Sequence, residues 1–195
     1  MSSLRTLLVL GGARSGKTRL ALSAVEAASD EPVMIATATA GDAEMADRIA
    51  RHREERGPRW RTIEETVDLA GALRAADAPG AAVVVDCLTL WLSNLTFGGH
   101  DVEARTAEAI EALRSVTVPV VLVSNEIGLG LVPDTPLGRR FRDAQGRLNQ
   151  RMAQACDAAV FVAAGLPLVL KPEGGVPSSV LALRAVISRT PPHRG

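Results

Sequence analysis

The chain has 195 residues, 47% of them hydrophobic, with 22 basic and 22 acidic residues that leave a net charge of zero. This length suits one domain with a continuous core, and the balanced charge does not indicate nucleic acid or an acidic membrane surface as a partner. Tyrosine is absent and only two Trp and three Phe occur, so we expect an aliphatic core and no stacking platform for single-stranded nucleic acid.

Two features of the composition predict a cytoplasmic location. Cys87 and Cys156 are far apart and belong to no C-x-x-C motif, which is typical of reduced, buried thiols in an intracellular protein. No apolar run approaches the ~20 residues of a membrane span, and the first ten residues are too short for a signal peptide. We therefore expect a cytoplasmic protein without a membrane span.

The first predicted element is the strand 7–10, and it runs directly into the sequence GGARSGKT at residues 11–18. A buried strand, a glycine-rich turn and a helix, in that order, form a phosphate-binding P-loop, because backbone N–H groups and the positive end of the helix converge on one point. Lys17 is predicted to reach the β- and γ-phosphates, and the Thr18 hydroxyl to ligate Mg²⁺. Lysine occurs elsewhere only at Lys171. The sequence therefore predicts binding of a nucleoside triphosphate.

Short apolar runs then alternate with longer helical patterns, which is typical of a parallel sheet covered on both faces. The further predicted strands are 33–37, 61–64, 81–86, 118–124, 159–162 and 168–170. The predicted helices are 16–28, 42–55, 67–75, 88–95, 102–115 and 136–155. The residues from 172 onward are rich in Pro, Gly and Ser, and we expect their end to be disordered.

Polar residues stand where several predicted strands end, at Thr37, at Asp86 and at Asn125-Glu126. Ligands of such sheets bind at the carboxyl ends of the strands, so we expect these residues to rim the same crevice as the P-loop. Asp86 suits a carboxylate that positions Mg²⁺ directly or through water. The alternative is that Asp86 caps the helix that begins near Leu88.

His52 lies in the arginine-rich stretch RIARHREER, residues 48–56. Neighbouring cations lower the pKa of an imidazole and keep it neutral, hence nucleophilic, at pH 7, and guanidinium groups hold phosphates well. The alternative is a structural histidine packed beside Met45 and Ile49, which the local sequence alone favours. Regulatory GTPases recognise guanine with an N-K-x-D motif, and no lysine here supplies one.

These residues belong to a longer ordered series that resembles a known family, the bifunctional adenosylcobinamide kinase/adenosylcobinamide-phosphate guanylyltransferases of cobalamin biosynthesis. The resemblance spans about residues 5 to 171. It is carried by GGARSGKT (11–18), IATA (35–38), EMADRI (44–49) with His52, WRT (60–62) with Glu64, DCLTLW (86–91) with Asn94-Leu95, VSNEIGLGLVP (123–133), RFRD (140–143) and GRLNQ (146–150). A P-loop alone is unspecific, but the whole series is highly specific. It therefore favours a functional role for His52, although the local sequence alone favours a structural one.

The resemblance implies two reactions at neighbouring sites. In the first, the hydroxyl of the aminopropanol arm of adenosylcobinamide takes the γ-phosphoryl group of ATP or GTP. In the second, a histidine attacks the α-phosphorus of GTP, expels pyrophosphate and carries GMP, which the cobinamide phosphate then takes to give adenosylcobinamide-GDP. His52 matches that histidine, and with Lys17 it is the predicted catalytic pair. The family's homotrimeric assembly is also implied for this chain.

The resemblance carries the nucleotide contacts over residue by residue. They fall on Gly11, Gly12, Ala13, Arg14, Ser15, Gly16, Lys17, Thr18, Ala36, Thr37, Ala38, Arg53, Glu54, Glu55, Arg56, Glu64 and Asp86. Mg²⁺ is the predicted cofactor, held by Thr18 and Asp86, partly through water. We thus expect a single α/β P-loop NTPase domain over residues 1–171, RecA-like, with a mostly parallel central sheet flanked by helices, and a tail over 172–195.

Some assignments stay open at this level. Asn125-Glu126, Arg140, Arg142 and Asn149 are candidates for the corrinoid site, whereas Arg140, Asp143 and Arg147 alternatively form a solvated ion-pair stripe. The alternative function is a one-step small-molecule kinase with a structural His52. A nucleotide-dependent binding or motor module without a small-molecule acceptor is a third possibility.

Overall fold

The computed structural model describes residues 5–38 and 57–171, which form one seven-stranded sheet with helices on both faces. The strands are β1 (Thr6–Gly11), β2 (Glu31–Ala36), β3 (Arg61–Glu64), β4 (Ala81–Asp86), β5 (Val120–Asn125), β6 (Ala158–Ala163) and β7 (Leu166–Lys171). The helices are α1 (Lys17–Ala28), α2 (Leu69–Ala76), α3 (Leu88–Phe97), α4 (Val102–Ser115) and α5 (Pro136–Ala155). The predicted helix 42–55, with His52, and the tail 172–195 lie outside the described residues.

The strand order is β3-β2-β4-β5-β1-β6-β7, and every neighbouring pair is parallel except β6 and β7. The predicted α/β class and mostly parallel sheet are therefore confirmed. The carboxyl ends of six strands meet at one edge of the sheet, and β5 separates the P-loop strand β1 from β4, which ends in Asp86.

Local capping signals explain why several predicted boundaries are confirmed to the residue. The Asp101 carboxylate accepts from the Ala104 N–H at the start of α4, and the Thr135 hydroxyl accepts from the Gly138 N–H at the start of α5. Both are N-cap residues of the preferred types. Where a cap was overlooked, the prediction was wrong: α2 begins at Leu69, not at residue 67, because Asp68 caps it by accepting from the Gly71 N–H.

The sheet separates two clusters of buried aliphatic side chains. One face packs against α2, α3, α4 and α5, and it holds Trp91, the one buried aromatic residue within the described ranges. The other face packs against α1, with Val9, Met34 and Val84 among its buried members. The predicted aliphatic core is thus confirmed, and it consists of one cluster on each face of the sheet.

Both cysteines are buried and unbonded, as the sequence predicts. Burial raises the pKa of the Cys156 thiol to about 12, against a smaller opposite effect of the Lys171 ammonium. Burial also raises the pKa of Cys87. Neither thiol is therefore a nucleophile at neutral pH. Of the helices in the described ranges, none combines the length and the apolar character that crossing a bilayer requires.

Candidate active site at the carboxyl edge of the sheet

The P-loop joins the end of β1 to the start of α1, as predicted, and two of its glycines are required by space. A Cβ on Gly11 would lie 2.5 Å from Ser15 Oγ and 2.6 Å from the Val162 carbonyl oxygen. Gly16 has a φ of +95°, a backbone conformation that residues with a side chain rarely adopt. A Cβ added at this position would lie 3.2 Å from Gly165 Cα. The loop is therefore folded too tightly for any other residue at these two positions.

The hairpin turn between β6 and β7 supports this loop from outside. Ala164 and Gly165 both have positive φ, at 51° and 79°, as a two-residue type I′ turn requires. The Gly165 N–H donates to the Ser15 carbonyl at 2.8 Å. Gly165 is not among the predicted site residues, although the position of Ala164-Gly165 between two apolar runs indicates a two-residue hairpin turn.

Lys17 lies over the loop with its side chain buried. Its Nζ donates to the Gly12 carbonyl at 2.9 Å. The Ser15 hydroxyl oxygen is also buried, and it has no hydrogen-bond partner among the described residues. An ammonium group and an unsatisfied hydroxyl in one loop are groups that phosphate oxygens can satisfy. The predicted P-loop chemistry thus has its donors in place.

Two carboxylates lie level with each other along the same edge. Glu64, Ala36 and Asp86 are in register across β3, β2 and β4, with neighbouring strands about 4.8 Å apart. Side chains alternate between the two faces of a strand, so Asp86 points to the same face as Val84, which packs against α1. The predicted carboxylates therefore lie on the face of the sheet that bears the helix of the P-loop.

Charges of both signs act on Cys87. Burial is the largest cause that raises the pKa of its thiol, the Asp86 carboxylate raises the pKa further, and the Lys17 ammonium lowers it. The alternative role of Asp86 as a helix cap is not confirmed, because the N-cap residue of α3 is Cys87.

Thr37 directly follows β2 at the predicted edge of the sheet, and its N–H donates to the Asp86 carbonyl at 3.3 Å. It is fully buried, and its hydroxyl donates to the Cys87 carbonyl at 2.7 Å and accepts from the Cys87 N–H at 2.8 Å. The Asn94 amide donates to the Thr37 carbonyl at 2.8 Å. Thr37 thus ties the ends of β2 and β4 to α3, on the face opposite α1, and its hydroxyl is occupied within the protein.

Replacement of Thr37 by valine is expected to destabilise the fold by about 2–4 kcal/mol, because the buried N–H and carbonyl of Cys87 each lose a partner. Urea denaturation measures this loss, and the Kd for GTP of the folded variant should stay within about threefold of wild type. Thr18→Val is the matched control, with stability retained and nucleotide affinity lowered. A stable Thr37→Val protein that binds GTP ten times more weakly would instead make Thr37 a nucleotide contact.

The remaining predicted nucleotide contacts are divided between residues at the P-loop and the end of β2, which the structure describes, and residues 52–56, which it does not. Gly12, Thr18, Ala36 and Ala38 are half-buried, and Ala13 and Arg14 are exposed at the P-loop. His52 and the contacts Arg53, Glu54, Glu55 and Arg56 lie outside the described residues, so their roles stay predictions.

The candidate corrinoid residues on α5 separate onto different faces. Asn149 is buried, where its Oδ1 accepts from Ser124 Oγ at 2.7 Å and from Gln145 Nε2 at 2.9 Å, and its Nδ2 donates to the Asn125 carbonyl at 3.1 Å. The Asn149 amide therefore holds α5 against β5, which argues against the predicted substrate contact. Arg142 lies on this same face, two turns before Asn149.

The opposite face of α5 lines a groove of about 530 Å³ that runs beside the start of α4. Arg140, Asp143 and Arg147 lie in it. Across residues 5–38 and 57–171 no ion pair joins these three residues, and the pair formed in this groove is Arg151 with Glu103. The predicted ion-pair stripe is therefore absent there.

Comparison with known proteins agrees with the site. Residues 7–170 match the family described as cobinamide kinase / cobinamide phosphate guanyltransferase. The bifunctional adenosylcobalamin biosynthesis protein CobP of Pseudomonas aeruginosa is 45% identical over 85% of this chain and 97% of its own. The protein CobU of Escherichia coli, with the same description, is 37% identical over 85% of this chain and 99% of its own. Among solved structures, the RadB recombinase is similar with a TM-score of 0.44 and 18% identity, over 80% of this chain and 73% of that one.

The family match covers nearly all of the described residues, and the named relatives are matched over almost their whole length. The resemblance seen in the sequence motifs is thereby confirmed. The chain belongs to the cobinamide kinase / cobinamide phosphate guanyltransferase family.

Proposed function

We propose that this chain catalyses two consecutive reactions of adenosylcobalamin biosynthesis. It phosphorylates adenosylcobinamide with ATP or GTP, and then transfers GMP from GTP to the product, giving adenosylcobinamide-GDP. The observation that carries the proposal is that α1, which begins at Lys17 of the P-loop, packs on the face of the sheet toward which Asp86 points, in a member of this family.

The kinase reaction follows from the loop. The P-loop N–H groups and Lys17 hold the β- and γ-phosphates, and the acceptor hydroxyl attacks the γ-phosphorus as the bond to the bridging oxygen breaks. The Lys17 ammonium stabilises the negative charge that develops on the leaving phosphate. Glu64 and Asp86 at the same edge suit the ribose and metal side of the nucleotide.

The residues at this edge fit Mg²⁺ as the cofactor. Thr18 and Asp86 supply hydroxyl and carboxylate oxygens, the hard donors that Mg²⁺ prefers. No group of three or more His, Cys, Asp or Glu residues within the described ranges could hold a metal by itself. This suits an ion that takes its other ligands from phosphate and water. When bound, Mg²⁺ neutralises charge on the phosphate oxygens.

The guanylyltransferase reaction rests on His52. Its neutral imidazole attacks the α-phosphorus of GTP, a P–N bond forms, and the bond to pyrophosphate breaks. A phosphate oxygen of cobinamide phosphate then attacks the same phosphorus, the P–N bond breaks, and the imidazole is released. We assign the arginines Arg53 and Arg56 to the phosphates, because guanidinium groups hold them bidentately.

We further propose a homotrimer in the cytoplasm, as the family resemblance implies.

The test of the proposed function follows the α-phosphate of GTP. After incubation with [α-³²P]GTP and Mg²⁺, we expect label on the protein that is labile in acid and stable in base, as a phosphoramidate is, and that cobinamide phosphate removes. GTP labelled at the γ-position should leave the protein unlabelled while it labels cobinamide. A protein that phosphorylates cobinamide but never retains the α-label would be a one-step kinase.

A further inference from the structure

A loop of apolar residues leaves the sheet at the centre of the proposed active site. It follows β5, which lies between β1 and β4, so it begins between the P-loop and Asp86. The register of the strands places Asn125 beside Gly11, and the Glu126 N–H donates to the Gly11 carbonyl at 3.0 Å. The mechanism described above gives this loop no part.

Three apolar side chains of this loop face solvent. The exposed fractions are 80% for Leu129, 96% for Leu131 and 62% for Val132. We call these three residues the leucine patch. Single exposed leucines are ordinary, but three within four residues of a loop that starts at a catalytic edge are typical of a binding surface.

The loop is held in shape at both ends. Near its start, the Glu126 carboxylate accepts from the Gly128 N–H at 2.6 Å. Near its end, Arg139 Nη1 donates to the Pro133 and Asp134 carbonyls at 2.9 and 2.8 Å. These polar bonds hold the loop while its apolar side chains stay outside. The exposure of the leucine patch is therefore built into the loop.

We propose that the leucine patch binds a face of the corrin macrocycle and so positions the acceptor for both reactions, an inference that rests on the proposed function. The acceptor is the one reactant with a broad apolar face, since the nucleotides are polar and occupy the P-loop edge. The loop that bears the patch starts between the P-loop and Asp86, so a macrocycle bound to it directs its aminopropanol arm toward the phosphates. The patch carries no charged side chain, which suits a ring with neutral amides at its rim.

The experiment uses the full-length protein with Leu129 and Leu131 both replaced by serine. Because serine removes the apolar surface that the acceptor would cover, we expect the KM for cobinamide phosphate to rise at least about tenfold. Self-labelling by [α-³²P]GTP needs no corrinoid, so its rate should be unchanged. The double variant with methionine at both positions, Leu129→Met with Leu131→Met, should have a KM close to that of wild type. Leu170→Ser is the matched control, because this leucine is exposed near the start of β6, at the end of the sheet opposite the carboxyl ends of the parallel strands.

The outcomes separate this inference from the function on which it rests. A wild-type protein that never takes the α-label contradicts the proposed function. Unchanged KM in a serine variant that still labels itself overturns the assignment of the patch. Dissociation of the oligomer in that variant, seen by light scattering, also overturns it and assigns the patch to a contact between copies of the chain.

Discussion

Replacement of His52 by alanine is expected to abolish GMP transfer while leaving kinase turnover within about threefold of wild type. A covalent nucleophile has no substitute within its step, so the rate of adenosylcobinamide-GDP formation should fall by about 10³-fold or more. The kinase reaction uses a different phosphorus and the groups of the P-loop. The measurements are the α-label retained on the protein and, separately, γ-label transferred to cobinamide.

His100 offers the control for this substitution. It is exposed in the described loop before α4 and belongs to no part of the proposed site, so His100→Ala should keep both activities. Mass spectrometry of a labelled peptide then locates the GMP. Retention of the adduct in His52→Ala, or its location on another residue, would contradict the assignment and leave His52 a structural residue.

The second large effect is expected at Lys17, where replacement by methionine should lower the kcat/KM of both reactions by about 10²–10³-fold. In the proposed mechanism both reactions use a triphosphate held by the P-loop, so removal of the ammonium would leave the phosphate charge uncompensated. Methionine keeps the length of the buried stem, so the fold should persist. The measurements are kcat/KM for each reaction and the Kd for GTP.

Lys171, the second of the two lysines, supplies the control. Its Nζ donates to the carbonyls of Ala153, Gln154 and Cys156 at the end of α5, at 3.1, 3.2 and 2.6 Å. Lys171→Met should therefore lower the Tm by several degrees, since three carbonyls at the end of α5 lose a charged donor, while kcat/KM stays unchanged. If Lys17→Met alters stability and leaves turnover intact, the P-loop lysine has no catalytic part.

The helices and strands with strong local signals could be predicted from the sequence. The predicted helices 102–115 and 136–155 agree to the residue with α4 and α5, whose starts are fixed within one segment by the N-cap residues Asp101 and Thr135. The predicted start of α2 at residue 67 is wrong, because Asp68 caps this helix. The family, and with it the expected role of His52, followed from ordered motifs rather than from any single residue.

The sequence by itself determined the P-loop, the class of the fold and the family, since each depends on short motifs and apolar runs that can be identified one after another along the chain. The tertiary structure alone decided the strand order that sets β5 between Gly11 and Asp86, the turn at Gly165 that packs on the P-loop, and the face on which Thr37 lies. These features join residues far apart in the chain. Such contacts depend on how the whole sheet packs, and no local propensity encodes them.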